Sequence, residues 1–368
     1  MSAQPVNLAL SIKSTEWQLT RVASFPRIRA LTWAGDVLYV SRGYTVLRCR
    51  PSADERKWEF VARFDPAWWR RLSSSSRLSY RLLRDGFHAA AVLPSGHIVA
   101  AVPGAIVTLC PGNTNFRVTH KLLRGTRPLH ITSTPDGRLF WGEYFDNPHR
   151  DEVHIYASTD HGATWNVAHT FARGSIRHVH NIVYDEWENC LWILTGDNGD
   201  ECRILRTSCD LRTVDTILSG HQQARAVALI PMPDALYFAS DTPLESNHIY
   251  RLDRRRNLTE LAALTSSSIN GCRAGETMFF STMVEPSLAN PDRHVRLYGS
   301  LDGFHWRNVC EWQKDHWPMT LFQYGNAFLP DGRNTTDLLA VTTIGVTDAD
   351  LETALLRVTL GSDLPESG

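Results

Sequence analysis

The chain has no long apolar run: nothing in its 368 residues approaches the roughly 18 consecutive apolar residues that a membrane-spanning helix needs. Residues 1–18 have no basic stretch followed by an unbroken apolar segment, so no secretory leader is expected. The seven cysteines (Cys49, Cys110, Cys190, Cys202, Cys209, Cys272 and Cys310) are odd in number, scattered and without a CxxC pair. That pattern predicts reduced thiols in a cytoplasmic protein and argues against a disulfide framework or a zinc ribbon. Charge of one sign is missing too. With 38 Lys and Arg against 39 Asp and Glu, the formal net charge is −1, so no overall field attracts nucleic acid or an anionic membrane. Arg70-Arg71 and Arg254-Arg255-Arg256 read as solvated loop tips. Phosphate-cradling GxxxxGK[ST], GxGxxG after a strand, HExxH and GxSxG are absent, which removes the commonest nucleotide, zinc-protease and serine-hydrolase signatures.

Long amphipathic helical periodicity is absent as well; only residues 66–83 can form one or two short helical turns. What is present is repetition. The chain is 43% hydrophobic, and its apolar residues fall in short runs broken by Gly, Pro, Asp and Asn. One unit recurs: a short apolar strand, a Pro/Asp/Gly turn, a returning strand, a polar loop and a hairpin. The paired strands begin at Arg29, His88, His130, His180 and Arg225, with less regular copies at Glu276 and Asn326. Six steps from Arg29 to Asn326 average about 50 residues, the size of a four-stranded blade. The predicted fold is all-β: one seven-bladed β-propeller domain over residues 1–368, with four-stranded antiparallel blades and six blades as the alternative. The blades are placed at residues 25–64, 84–122, 125–172, 175–216, 222–264, 272–313 and 320–362.

A second signature lies in the hairpins. Ser158-Thr159-Asp160-His161-Gly162-Ala163-Thr164-Trp165 has the form SxDxGxTW, and partial copies start at Ser52 (with Asp54), Ser208 (with Asp210) and Ser300 (with Asp302). Asp suits such a turn by accepting backbone N–H groups, Gly supplies positive φ, and Trp packs between sheets. On these residues the chain resembles the sialidase-like Asp-box (BNR-repeat) propellers over most of residues 25–360. The resemblance implies that the Asp boxes are turns on the outer rim, so Asp160 and Trp165 are given no chemistry.

In a propeller, the residues that open each innermost strand and close the next one gather at one mouth. The openers are Arg27 or Arg29, His88, His130, His180 and Arg225, with Glu276 and the stretch Tyr324 to Asn326 completing the ring. Glu143, Asp197 and Asp241 close the second strands of three successive units. Core packing does not ask for such a ring, because each member must be desolvated and paired. The long loops at residues 144–150 and 284–293 are expected to wall a pocket.

Two chemistries fit. His88, His130 and His180 can ligate a divalent metal, with Glu143 or Asp197 as a further ligand or support. Alternatively, His serves as general acid or base while Arg225 clamps a substrate carboxylate. His178, two residues before His180, is expected to point to the opposite side of its strand from His180 and is the lesser candidate. True sialidases carry Arg-Ile-Pro where this chain has Phe25-Pro26-Arg27-Ile28-Arg29. Arg27 or Arg29, Arg225, Glu276 and Tyr324 mimic only parts of their constellation, and three His are foreign to it. Strict sialidase activity is therefore not expected.

The function predicted from sequence is a carbohydrate-active enzyme, of lyase or glycoside hydrolase type, acting on an acidic saccharide in the central pocket. Its catalytic set is His88, His130, His180, Arg225, Glu143, Asp197 and Asp241, with Arg29, Glu276 and Tyr324 contacting substrate. The partner expected is a small molecule or oligosaccharide, with no nucleic acid or membrane, and no cofactor beyond the candidate divalent metal. The alternatives are a non-catalytic scaffold that binds a protein, and a His-ligated metal enzyme with a non-sugar substrate.

Overall fold

A computed structural model describes residues 17–361 apart from 53–56, 75 and 286. Short alternating strands joined by Gly-rich hairpins cannot bury their apolar faces alone, so they stack sheet against sheet around a ring. Seven antiparallel four-stranded blades result. Their innermost strands are Arg29–Gly35, Ala90–Val92, Thr132–Ser133, His178–Asp185, Ala226–Pro231, Ser268–Ala274 and Asn326–Phe328, numbered here as blades 1 to 7. The Asp54 copy of the hairpin signature lies outside the described residues.

There is no single core. Seven apolar clusters form, one at each seam between neighbouring blades, for example Leu31, Val46, Ala90 and Ile98 between blades 1 and 2. The ring closes by exchange of ends. Trp17–Pro26 pairs antiparallel with Glu352–Leu360 as the outermost strand of blade 7. Closure leaves no blade with an unpacked face, and buried Trp17 plugs the last seam edge-on to Phe279, with ring centroids 5.7 Å apart.

Two departures from the repeat matter for the site. In blade 6 the innermost strand is Ser268–Ala274 and the second is Thr277–Thr282, so Glu276 sits in the turn between them. In blade 7 the segment Asp331–Asn334 leaves its sheet and runs parallel to Arg29–Gly35, making a fifth strand inside the ring. Gly332 permits this approach: its φ is +87°, and a Cβ there would lie 2.2 Å from the Trp33 carbonyl oxygen.

Residues 66–83 form two short helices, α1 (Trp68–Ser73) and α2 (Arg77–Leu83). Ser76 caps α2 by accepting from the Ser79 N–H, and Arg84 ends it in the left-handed region at φ 54°. Charged anchors hold the pair down. Buried Asp85 binds Tyr44 (2.9 Å) and Arg70 (2.5 Å), and fully buried Arg81 binds Asp315 (2.7 Å) and Asp350 (3.2 Å). The helices therefore lie across the face of the ring on which the innermost strands begin.

The hairpin turns of blades 3 and 6 close on themselves. Asp160 accepts from Ser158 Oγ (2.7 Å), the Thr164 N–H (2.9 Å) and Thr164 Oγ1 (2.6 Å). Asp302 accepts in the same way from Ser300 Oγ (3.1 Å) and the Phe304 and His305 N–H groups. Trp165 reaches across the seam to Thr119 Oγ1, and Trp306 packs on Phe280.

Candidate functional site

The polar cluster forms where blades 3, 4 and 5 open onto the helix-bearing face. Its seed is a β-bulge. The pairing of blade 4's first two strands skips a residue between Val179 and Asn181, so His180 falls in the bulge and strand alternation is interrupted. His178 and His180 point the same way, with their Nε2 atoms 3.1 Å apart. The expectation that His178 faces away from His180 is corrected: residues two apart share a face of a strand, and the pair stays together across the bulge. Each ring is pinned from behind, His178 Nδ1 donating to the Phe145 carbonyl (3.1 Å) and His180 Nδ1 to the Ala226 carbonyl (3.0 Å).

Asp197, which closes the second strand of blade 4, completes a triangle. Its Oδ1 lies 3.5 Å from His178 Nε2 and 3.4 Å from His180 Nε2. Arg177 and Arg225 also reach this carboxylate, at 3.2 and 3.3 Å, and Arg225 Nη2 lies 3.4 Å from Asp241. Burial alone pushes the Asp197 carboxyl up, but hydrogen bonds from His178 and His180 and the Arg225 charge hold it well below the usual carboxylate range. Asp241 has the opposite fate. Burial outweighs Arg225 and, with Glu285 and Asp197 nearby, lifts it to about 7. Burial raises Glu285 too, and lowers His180. Two carboxyls of one mouth are thus driven apart in acidity, the arrangement in which one is a base and the other an acid near neutral pH. Tyr144 packs against His178 with ring centroids 4.3 Å apart and the planes tilted by 43°, and burial lifts its phenol to about 12.

The other half of the mouth is basic. Arg29 Nη1 lies 3.2 Å from His88 Nδ1, and His88 Nε2 donates to the Arg84 carbonyl (2.7 Å). Burial and the charges of Arg127 and Arg29 hold His88 well below its usual range, so it is neutral. Arg127 itself is lowered to about 10 by burial and by repulsion from Arg29 and Arg84. Among the described residues, none of these three guanidiniums forms an ion pair, and the buried Arg29 Nε has no hydrogen-bond partner. Beside them a cavity of about 300 Å3 opens under α2, lined by Arg27, Arg29, Arg42, Arg77, Tyr80 and Phe328. The two halves adjoin through aromatic residues: Tyr144 feels both Arg127 and Asp197, and Tyr324 feels both Arg84 and Glu285.

Of the residues expected at the mouth, the structure gathers His180, Asp197, Arg225 and Asp241 into one group and Arg29 and His88 into the other. His88, His130 and His180 do not converge, so they cannot share an ion. His130 instead faces the central channel, a cavity of about 720 Å3, where it meets Asp331 at 2.9 Å. The inserted segment of blade 7 brings that partner in. Glu143 folds back onto its own sheet, accepting from the His154 N–H (2.8 Å) and pairing with Arg124. Glu276 lines the opposite end of the channel from the mouth, because it belongs to a turn and opens no strand. Arg27 is held at φ 57° with its N–H on the Leu351 carbonyl, and Tyr324 is partly exposed. Sequence reasoning missed Arg84, Arg127, Arg177 and Glu285. Arg127 and Arg177 each lie just before a strand-opening His, a spacing visible only once the strand starts are known.

No described helix is long and apolar enough to cross a membrane, and no disulfide forms among the described residues. No protein-family model matches the chain, and no curated protein matches it by sequence. Solved structures do. A chain of the mitotic checkpoint complex is 10% identical with a TM-score of 0.56, the match covering 97% of this chain and 99% of that one. The WD40 β-propeller domain of Doa1 is also 10% identical, with a TM-score of 0.54 over 94% of this chain and 96% of that domain. At such identity the likeness concerns the seven-bladed fold alone.

Proposed function

We propose that the mouth binds and chemically processes an acidic saccharide, in the manner of a carbohydrate-active lyase or hydrolase. The observation that carries this is charge imbalance. Arg29, Arg84 and Arg127 repel one another at a partly buried site with no carboxylate among them. Guanidiniums held so are uncompensated until an anion arrives, and they clamp a carboxylate through paired N–H donors. Across Tyr144, buried Asp241 keeps its proton to about pH 7 while His180 stays neutral, an acid and a base within one mouth. The adjoining cavity of about 300 Å3 has the volume of a small-ligand site. Binding of a galacturonic acid hexamer, with neutral maltohexaose as control, tests the reading by calorimetry. Selective binding of the acidic hexamer supports it, as does release of shorter products. Equal or absent binding of both sinks it.

A second reading, a non-catalytic scaffold that docks a protein, is favoured by one specific feature. Helices α1 and α2 expose Trp68 (75% accessible), Trp69, Leu78, Leu82 and Leu83 on one excursion. Apolar side chains gathered this way mark interaction surfaces. The chain of the mitotic checkpoint complex that shares the fold is part of an assembly. This reading predicts that Trp68→Ser with Leu82→Ser abolishes partner capture and leaves saccharide binding unchanged.

A further inference from the structure

We propose that His178, His180 and Asp197 form a binding site for one divalent first-row transition ion, with zinc the best geometric match. The three facing atoms, two Nε2 and Asp197 Oδ1, stand 3.1, 3.4 and 3.5 Å apart. A tetrahedral ion with bonds of about 2.0–2.1 Å holds its ligand atoms about 3.3–3.4 Å from one another, so these edges are those of one tetrahedral face. An ion placed just out of that plane reaches all three atoms without moving a side chain.

The ring protonation states argue the same way. A carbonyl oxygen only accepts, so Nδ1 of each His must donate to its backbone partner, Phe145 or Ala226. With Nδ1 committed in each ring, both Nε2 atoms face each other at 3.1 Å beside Asp197 Oδ1, and the hydrogen bonds they make to that carboxylate need a proton between them. Three acceptors converging on one point require a positive charge between them, either a shared proton or a metal ion. Backbone carbonyls behind both rings are also the usual outer support of metal-bound imidazoles, since they fix the tautomer and raise basicity. The guanidinium of Arg225 on Asp197 opposes a cation, and a bound cation in turn favours loss of the proton that Asp241 holds beside Arg225.

The chain holds a contrasting cluster. Asp185, Glu188 and Cys190 also come together, yet Asp185 is occupied by Trp192 Nε1 (3.0 Å) and Arg254 (2.5 Å), and Glu188 by Arg206 (3.0 Å). Both carboxylates of that group are taken by cations and donors; in the histidine triangle Arg177 and Arg225 reach Asp197, but the two Nε2 atoms meet only each other and that carboxylate. Three protein ligands leave one position for water or a ligand oxygen, which is the pattern of working zinc sites and not of structural ones. The inference stands apart from the saccharide reading. Metal binding without acidic-hexamer binding removes the latter alone, and the reverse result removes this one alone.

The test uses the full chain without a polyhistidine tag, stripped with chelator and titrated with Co2+ and then Zn2+. One equivalent of Co2+ with the visible absorption of a tetrahedral centre, displaced by Zn2+, is expected. His178→Ala and Asp197→Asn should each weaken binding roughly 100-fold or more, while His88→Ala and His130→Ala leave it intact. X-ray absorption of the zinc-loaded wild-type chain, which needs no variant, should show two imidazole ligands. Folded wild-type chain that takes up neither ion at micromolar concentration overturns the proposal and leaves the histidines sharing a proton. A bound ion without imidazole ligands overturns it equally.

Discussion

Two regions of this propeller are organised around an aspartate, and they differ in where its partners come from. Asp160, in the rim turn of blade 3, takes every hydrogen bond from Ser158 and Thr164 of its own turn. Asp197, at the mouth, draws His178, His180, Arg177 and Arg225 from strands and loops of two blades. The rim turn is complete. The mouth is not: Arg225 Nε, Arg177 Nε and Asp241 Oδ1 are buried without partners. Local closure makes a stable corner, whereas convergence from distant strands with groups left over makes a site awaiting something.

The largest effect expected is at the basic half of the mouth. Arg127→Ala or Arg29→Ala should reduce affinity for the galacturonic acid hexamer by about 2–4 kcal/mol, read by calorimetry, with the unfolding midpoint little changed. Unaltered affinity would break the comparison by making the mouth as inert as the rim. Asp160→Ala should do the converse. It removes the centre of a turn and lowers stability by about 1–2 kcal/mol in denaturant titration, while the folded fraction binds ligand normally.

A third test concerns pH. Asp241 is lifted from 3.8 to about 7 in the fold, so between those values the folded chain holds a proton that the unfolded chain has lost. Stability from this group is present below about pH 4 and is lost as pH rises through 7. Its slope is at most about 1.4 kcal/mol per pH unit. Asp241→Asn should flatten that slope in denaturant midpoints measured from pH 4 to 8; an unchanged slope assigns it to another group. The smallest effect belongs to His130→Ala. Its partner Asp331 is a third exposed, so stability should fall by no more than about 1 kcal/mol. Ligand affinity should stay within about twofold.

Much of the architecture was legible because it is periodic. Strand-turn-strand units about 50 residues apart, opening at Arg29, His88, His130, His180 and Arg225, predict blades, and seven form. Closure by Trp17–Pro26 was not legible, since the outermost strand of blade 7 lies at the other end of the chain. The site was readable in half. His180, Asp197, Arg225 and Asp241 occupy equivalent repeat positions and do meet. The reading misplaces His178, because residues two apart share a strand face and it accompanies His180. Elsewhere it fails where the repeat is broken: the inserted Asp331–Asn334 draws His130 into the channel, and the shifted strands of blade 6 move Glu276 to a turn. Each is an irregularity of one or a few residues, which averaging over a repeat conceals.

Hydrogen exchange of the full chain, with and without the galacturonic acid hexamer, tests most directly whether the mouth is the working region and the rim the scaffold. The account predicts slowed exchange in residues 84–90, 124–130, 144–150 and 177–181, with the rim turn at 158–165 unchanged. Protection confined to the rim or to α1 and α2, or no protection anywhere under saturating hexamer, would contradict it.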